Sequence, residues 1–497
     1  MLAEPSASPR SVPTLPLPRP RTERSGTAAP GRRRYWIRLT AALALLACVT
    51  RLPSFRWPLW NPDEGYLAVQ ARILASGGEL YDTVVDRKPP LVPWLYQGAF
   101  ALFGDESLMP LKVCAVLAQL LTALLLASLA RRRWGDPAGR TAGALHLLLS
   151  IGLNPEDTQA ATFEVFMLPA TAAAMWLADR GRWAWCGAAV AAAFLAKQTG
   201  GAVLVPVLWL LWRCGAPRAA GWRLAAGGAL PVIAVALATG PSGFLFWTAT
   251  GSGAYASFTG SELHVLSRAL TNSLLLSAAC AGILPPVARV LRIARTGAVE
   301  LWLWLGSAAL AVTLGFHFFG HYYLQLVPAL ALLGTAALQI LPRDRLPTAL
   351  LTTACAGVLF LAWGLLAPRP ELAHAQKVAA TVKSRTEPGE RVLVWGMHPE
   401  TYWLADRAPA SRYLTAGFLT NYSGGRNGPQ VGEKYAVEGA WPVFREELTS
   451  DPPALIVDDS RGKPFAPDET PSLRRILAAG YERAGVVDGA VLYARMR

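Results

Sequence analysis

The chain has 497 residues, 53% hydrophobic and 16% charged, with 47 Lys plus Arg against 33 Asp plus Glu and a formal net charge of +14. A soluble chain of this length would carry about a quarter charged residues over two or three domains. Here only 370–497 reads that way, with 16 basic and 16 acidic residues, so the whole excess lies among the apolar blocks of 1–369. Positive charge between hydrophobic runs sets topology, which argues against a nucleic-acid binder and for an integral membrane protein.

In chain order, residues 1–35 are rich in Pro, Ser and Arg and predict a disordered, basic cytoplasmic tail. The run Leu45-Leu46-Ala47-Cys48 looks like a lipoprotein cleavage box, but the basic leader before it is longer than a signal peptide uses. A bilayer-crossing helix needs about 20 mostly apolar residues, fewer where neighbours shelter its ends. On that measure eleven spans are expected, at 36–52, 109–130, 139–153, 162–178, 183–197, 199–213, 222–240, 265–288, 298–316, 322–341 and 347–368. With the first 38 residues inside, the inner connections hold 22 Lys plus Arg and the opposite side holds 9, so the basic bias alternates with the spans. The fold class is thus a polytopic α-helical membrane protein, multi-pass in the cytoplasmic membrane. An odd span count puts 370–497 on the same outer face as the loop 53–108. The six cysteines all lie in or beside apolar spans, so the outer segments have no disulfide framework or zinc site.

The tail 370–497 predicts a small extracytoplasmic α/β domain. It has a helix at 371–385, a strand at 391–395, a helix at 400–405, a strand at 454–457, a helix at 472–479, and a hairpin of 481–487 and 490–494 around Asp488-Gly489. It has no Gly-rich phosphate fingerprint.

The loop 53–108 carries most of the chemistry. Asn61-Pro62-Asp63-Glu64-Gly65-Tyr66 sets two carboxylates beside a membrane exit, and Asp86-Arg87-Lys88-Pro89-Pro90 follows some 24 residues later. Pro62 and the acidic pair fit a helix's first turn, where negative charge is favoured by about 0.3–1 kcal/mol. Tyr66, Leu67, Ala71, Ile73 and Leu74 fit an interfacial helix over 66–74. A helix lying on the surface is therefore the plain alternative to a reaction centre. Glu164 lies near the start of one span and Lys197 at the end of another, and charges there are costly and usually functional.

These motifs resemble the GT-C glycosyltransferases, in particular the bacterial relatives of protein O-mannosyltransferases and of the lipid A aminoarabinose transferase. The likeness runs from Asp63-Glu64-Gly65-Tyr66 through Leu80-Tyr81-Asp82 and Lys88-Pro89-Pro90. It continues in Thr162-Phe163-Glu164-Val165-Phe166-Met167-Leu168-Pro169, Lys197-Gln198 and His321-Tyr322-Tyr323-Leu324-Gln325, and reaches Val394-Trp395-Gly396 in the tail. The resemblance implies a GT-C-like catalytic unit over 36–369 that takes a sugar from a polyprenyl-phosphate donor and passes it to an envelope acceptor. Its partners are then the lipid-linked donor, membrane lipids and that acceptor.

Phosphate leaves without needing a proton, so one base suffices to deprotonate an attacking hydroxyl, with inversion at the anomeric carbon. The resemblance makes Asp63 that base. Glu64 is then a neighbour that orients or charge-tunes it, since adjacent helical residues point about 100° apart. Lys88, Arg87 and Lys197 are the cations for the departing phosphate. Glu164 is preferred over Asp157 as the second acidic residue. Asp82, Asp86, His317 and His321 lack metal-ligand spacing, so no obligatory metal is expected, although a divalent ion occurs in some relatives. A transporter or flippase is the main alternative, and a membrane scaffold the next.

Overall fold

The computed structural model describes residues 30–252, 260–293 and 298–496. The first helix, α1 (Pro30–Thr50), takes in Arg32, Arg33 and Arg34 as helical residues, so the expected disordered tail gives way to helix at Pro30; residues 1–29 lie outside the described residues. A short turn leads to α2 (Pro62–Ala75) and α3 (Leu91–Phe103), the latter an apolar helix not anticipated inside the loop 53–108.

The bundle continues with α4 (Met109–Trp134), α5 (Asp136–Leu149), the single turn α6 (Pro155–Thr158), α7 (Phe163–Ala178) and α8 (Trp183–Ala196). A 3-10 segment, Gln198–Val203, precedes α9 (Leu204–Arg213), followed by α10 (Arg218–Ala238) and α11 (Pro241–Thr248). Next come α12 (Glu262–Ala279), α13 (Leu284–Ile293) and α14 (Val299–Thr313). The 3-10 segment Gly320–Leu326 then leads into α15 (Val327–Ile340) and α16 (Leu346–Leu366).

Among the described residues, four helices are long and apolar enough to cross a membrane, starting at Met109, Arg218, Gly320 and Leu346; α3, α7, α8 and α14 are shorter apolar helices. The protein is a multi-pass membrane protein. The expected span 265–288 is broken at Cys280–Ile283, and α13 restarts with Pro285 and Pro286 in its first turn. Proline has no N–H to donate to the preceding turn and tolerates only a helix start, so apolar content alone could not make one helix there.

One end of the bundle is tied by charge. Arg133 reaches both Glu300 (2.6 Å) and Asp179 (3.3 Å), and Arg213 reaches Glu300 (3.1 Å). These residues sit at the C-terminal ends of α4, α7 and α9 and the N-terminal turn of α14. Glu164 starts α7 and Lys197 follows α8, so both belong to the opposite end.

That opposite end carries the tail. Helix α17 (Pro370–Arg385) leads to β1 (Arg391–Trp395), α18 (Glu400–Ala405), β2 (Ala408–Pro409), α19 (Gly417–Thr420), α20 (Tyr422–Gly425) and α21 (Ala440–Ser450). It finishes with β3 (Leu455–Asp458), α22 (Pro471–Gly480), β4 (Tyr481–Val487) and β5 (Ala490–Arg495). The sheet order is β2-β1-β3-β5-β4; β1 pairs parallel with β2 and β3, and β5 pairs antiparallel with β3 and β4. The closing hairpin turns through Asp488 and Gly489, as its sequence predicts. The missed elements are β2, α19 and α20, which are short, and α21, whose Trp441, Phe444 and Leu448 keep a helical spacing that the sequence reading passed over.

Candidate active site

Helix α2 begins as its sequence dictates. Asn61 caps it by accepting the Glu64 backbone N–H (3.2 Å), Pro62 takes the first turn, and Asp63 and Glu64 lie at the positive end of its dipole. It does not lie on an interface, however. Leu67, Ala68, Ala71 and Leu74 are buried, and α2 packs between α3 and α18 of the tail. Gly65 permits this approach: a Cβ there would stand 2.3 Å from the Glu400 Cβ and 2.5 Å from its Cα.

The two adjacent carboxylates have different surroundings. Asp63 is 44% exposed and lines a cavity of about 800 Å³. Glu64 is fully buried outside that lining; it accepts the backbone N–H groups of Trp60 and Ala161, the latter at 2.8 Å. It thereby ties the start of α2 to the 154–162 loop. Arg51 carries the same loop from below, donating to the carbonyls of Thr158, Gln159 (3.1 Å) and Ala160 (3.2 Å). Arg369, where the last long helix enters the tail, donates to the Trp60 carbonyl and pairs with Glu156 at 3.0 Å.

Held this way, the loop brings Asp157 to the cavity beside Asp63. His321 stands between the acidic groups. Its Nδ1 is 2.7 Å from Asp157 Oδ1, and its Nε2 is 4.0 Å from both Asp63 Oδ2 and Glu164 Oε1. Gly320 makes room for this, since a Cβ there would lie 2.3 Å from Asp157 Oδ2. Glu164 and Asp157 thus flank one imidazole. The sequence offers His321 through its motif and as a weighed but rejected metal ligand, and its pairing with Asp157 depends on a contact across 164 residues.

The candidate cations share the cavity. Arg87, Lys88 and Lys197 all line it. Lys197 pairs with buried Glu164 and sits 3.6 Å from the centre of the Tyr322 ring; Lys88 lies 4.9 Å over Phe163, and Arg87 lies 4.5 Å over Phe418 of the tail. Cations over ring faces are held in place by the ring quadrupole. The backbone bearing Arg87 and Lys88 is fixed as well. Gln198 donates to the Arg87 carbonyl (2.6 Å), and the Tyr81 hydroxyl donates to the Lys88 carbonyl (2.8 Å). Below them Asp86 accepts from Gln70 at 3.3 Å; burial pushes its carboxyl up, opposed by Lys88 and reinforced by Asp63.

The tail supplies a further wall, which the sequence did not reveal: Glu371, Met397, His398, Arg426, Arg461 and Lys463 line the same cavity. Its residues come from the first turn of α17 and from separate loops of the α/β unit, with no shared motif to announce them. His398 bonds Glu400 at 2.9 Å and accepts from Arg461 at 2.9 Å. Among the described residues, no group of three or more His, Cys, Asp or Glu side chains is arranged to hold a metal ion.

Residues 87–240 match the family model described as dolichyl-phosphate-mannose-protein mannosyltransferase. The undecaprenyl phosphate-alpha-4-amino-4-deoxy-L-arabinose arabinosyl transferase of Pseudomonas aeruginosa (strain UCBPP-PA14) is 32% identical over 227 residues, 41% of this chain and 39% of that protein. Its counterpart in Pseudomonas paraeruginosa is 31% identical over the same length. The aligned stretch thus covers about two fifths of the curated relatives. The crystal structure of ArnT from Cupriavidus metallidurans bound to undecaprenyl phosphate superposes with a TM-score of 0.58 at 17% identity, covering 94% of this chain and 99% of that one. The chain has that fold and is a distant relative of these proteins.

Proposed function

We propose that the protein is a membrane glycosyltransferase that moves a sugar from a polyprenyl-phosphate donor to an acceptor hydroxyl. The observation that carries this reading is one cavity lined by Asp63, by Lys88, Arg87 and Lys197, and by residues of the tail. The mannosyltransferase-family match and the relatives named for undecaprenyl-phosphate sugars support the same class.

In this reading the donor phosphate sits on Lys88 and Arg87, with Lys197 completing the positive side. Asp63, the most exposed of the carboxylates around His321, takes the proton as the acceptor oxygen attacks the anomeric carbon and the C–O bond to phosphate breaks. The sugar inverts, and the phosphate leaves with both its electrons and its negative charge. Lys88 and Arg87 stabilise that charge most strongly as it develops, which is where stabilisation lowers a barrier. Glu64 acts by holding the start of α2. His321, bonded to Asp157, orders the acidic side. The reading assigns no step to a metal.

The basic bias of the connections places the Arg133–Glu300–Arg213 end in the cytoplasm and the cavity with its tail on the outer face. With about eleven passages, that orientation gives an extracytoplasmic tail and a catalytic unit over 36–369.

The test is transfer by purified wild type and Asp63→Asn from labelled polyprenyl-phosphate sugars to membrane acceptors. Loss of a positioned base should slow transfer by about 10²–10⁴-fold. Equal transfer by both proteins refutes the assignment. A solute carried across vesicles while no donor is consumed would establish the transporter instead.

A further inference from the structure

Six cations line the cavity, and the transfer reaction uses three of them. Arg87, Lys88 and Lys197 come from the bundle side, where a lipid carrier arrives. Arg426, Arg461 and Lys463 come from the tail. Within the tail group, Arg461 is already neutralised, at 2.9 Å from Glu371 and 3.3 Å from Asp459. Among the described residues, neither Arg426 nor Lys463 has a carboxylate within salt-bridge distance.

These two side chains flank the Tyr422 ring, with the Arg426 guanidinium 5.7 Å and the Lys463 ammonium 5.9 Å from its centre. The Arg426 Nε is buried and has no hydrogen-bond partner among the described residues. Arg426 also adopts φ 51°, an unfavourable backbone for a residue with a side chain. Burial, and after it Arg461, pulls the Lys463 ammonium below its usual value against the opposing pull of Glu371 and Asp459, and Arg426 adds a smaller lowering. Three cations against the two carboxylates of Glu371 and Asp459 leave this half-buried wall with an excess of positive charge, which an anion relieves.

A chain of ring contacts links the group to the reacting centre. Arg426 is 5.7 Å from the centre of the Phe319 ring, which stacks on His321 at 5.4 Å and 10°, and His321 is 4.0 Å from Asp63.

We propose that Arg426 and Lys463, backed by Arg461, form a second anion subsite that holds a phosphate or carboxylate group of the acceptor, separate from the donor phosphate. The subsite itself stands on its own geometry; its assignment to the acceptor rests on the transferase reading. It selects acceptors that carry a negative group near the hydroxyl to be glycosylated.

The test uses the full chain in lipid nanodiscs, first saturated with undecaprenyl phosphate and then titrated with inorganic phosphate. Wild type should bind phosphate in the presence of the lipid. The double variant Arg426→Gln/Lys463→Gln should lose that affinity by about tenfold or more while retaining undecaprenyl phosphate, and Lys88→Gln should show the reverse. Phosphate binding abolished by the lipid, or unchanged in the double variant, overturns the subsite. Asp63→Asn should bind both as wild type does, so loss of transfer there stays distinct from loss of the subsite.

With labelled polyprenyl-phosphate sugar and native membranes as acceptor, the double variant should raise the half-saturating membrane concentration about tenfold with the donor KM unchanged. A raised donor KM with unchanged acceptor dependence overturns the assignment to the acceptor.

Discussion

Gly65 offers a sharp test of how the reaction centre is positioned, because it touches nothing chemical. Adding one methyl group by Gly65→Ala would set a carbon 2.3 Å from Glu400 Cβ and 2.5 Å from Glu400 Cα. Ordinary contact begins at 3.4 Å, so α2 and α18 must part by about 1.1 Å, and neither obstructing atom is the tip of a flexible side chain. Overpacking of this kind costs about 1–3 kcal/mol. Asp63 lies two residues from Gly65 on the same helix, and a displacement of about 1 Å at a reacting group can cost about 10²-fold in rate. Thermal unfolding in detergent should therefore show modest destabilisation, whereas transfer falls far more than the folded fraction does. Activity within twofold of wild type, at an unchanged unfolding temperature, would refute the view that the tail sets the position of Asp63.

Other predictions follow from buried charge. Lys197→Met removes the cation that pairs with buried Glu164 and should destabilise the protein by about 3–5 kcal/mol; adding Glu164→Gln should restore much of the unfolding temperature without restoring donor binding. In the tail, burial alone would lower the His398 imidazole, but its bond to Glu400 and the charges of Glu400 and Asp459 raise it above its usual value of 6.5. A group raised on folding stabilises fully below the unfolded value, and that contribution is lost as pH rises through the folded one. Wild type should accordingly lose stability above neutral pH relative to His398→Gln, as read by unfolding temperature across pH 6–9, and parallel profiles would exclude this pair as the source.

The bundle was largely legible because burying apolar surface in lipid leaves a long compositional record, and helices occur at nearly every expected span. Where hydropathy failed, at Cys280–Ile283, the cause was local: Pro285 and Pro286 cannot continue α12. Helix α3 escaped notice because its apolar run is too short to span and follows a double proline that reads as loop. In the cavity, Lys88 and Asp63 draw notice as charges beside prolines, and Glu164 and Lys197 as charges at the ends of apolar spans, while the roles expected of them come from the resemblance. The different surroundings of Asp63 and Glu64 depend on which backbone N–H groups the 154–162 loop presents, and only tertiary contacts decide that. Arg426, Arg461 and Lys463 look like ordinary surface charges in a neutral domain until the fold turns them toward one chamber.

Arg369 has a consequence for biogenesis. It contacts Trp60, a residue 309 positions earlier, and the Gly65–Glu400 contact spans an even longer stretch. At about 5–20 residues per second, the 309 intervening residues take about 15–60 s to synthesise. The start of α2 must wait through that interval, already inserted but without its final braces. A newly made protein should therefore be inert until its last long helix and tail have emerged, since the reaction chamber is among the last things the polypeptide completes.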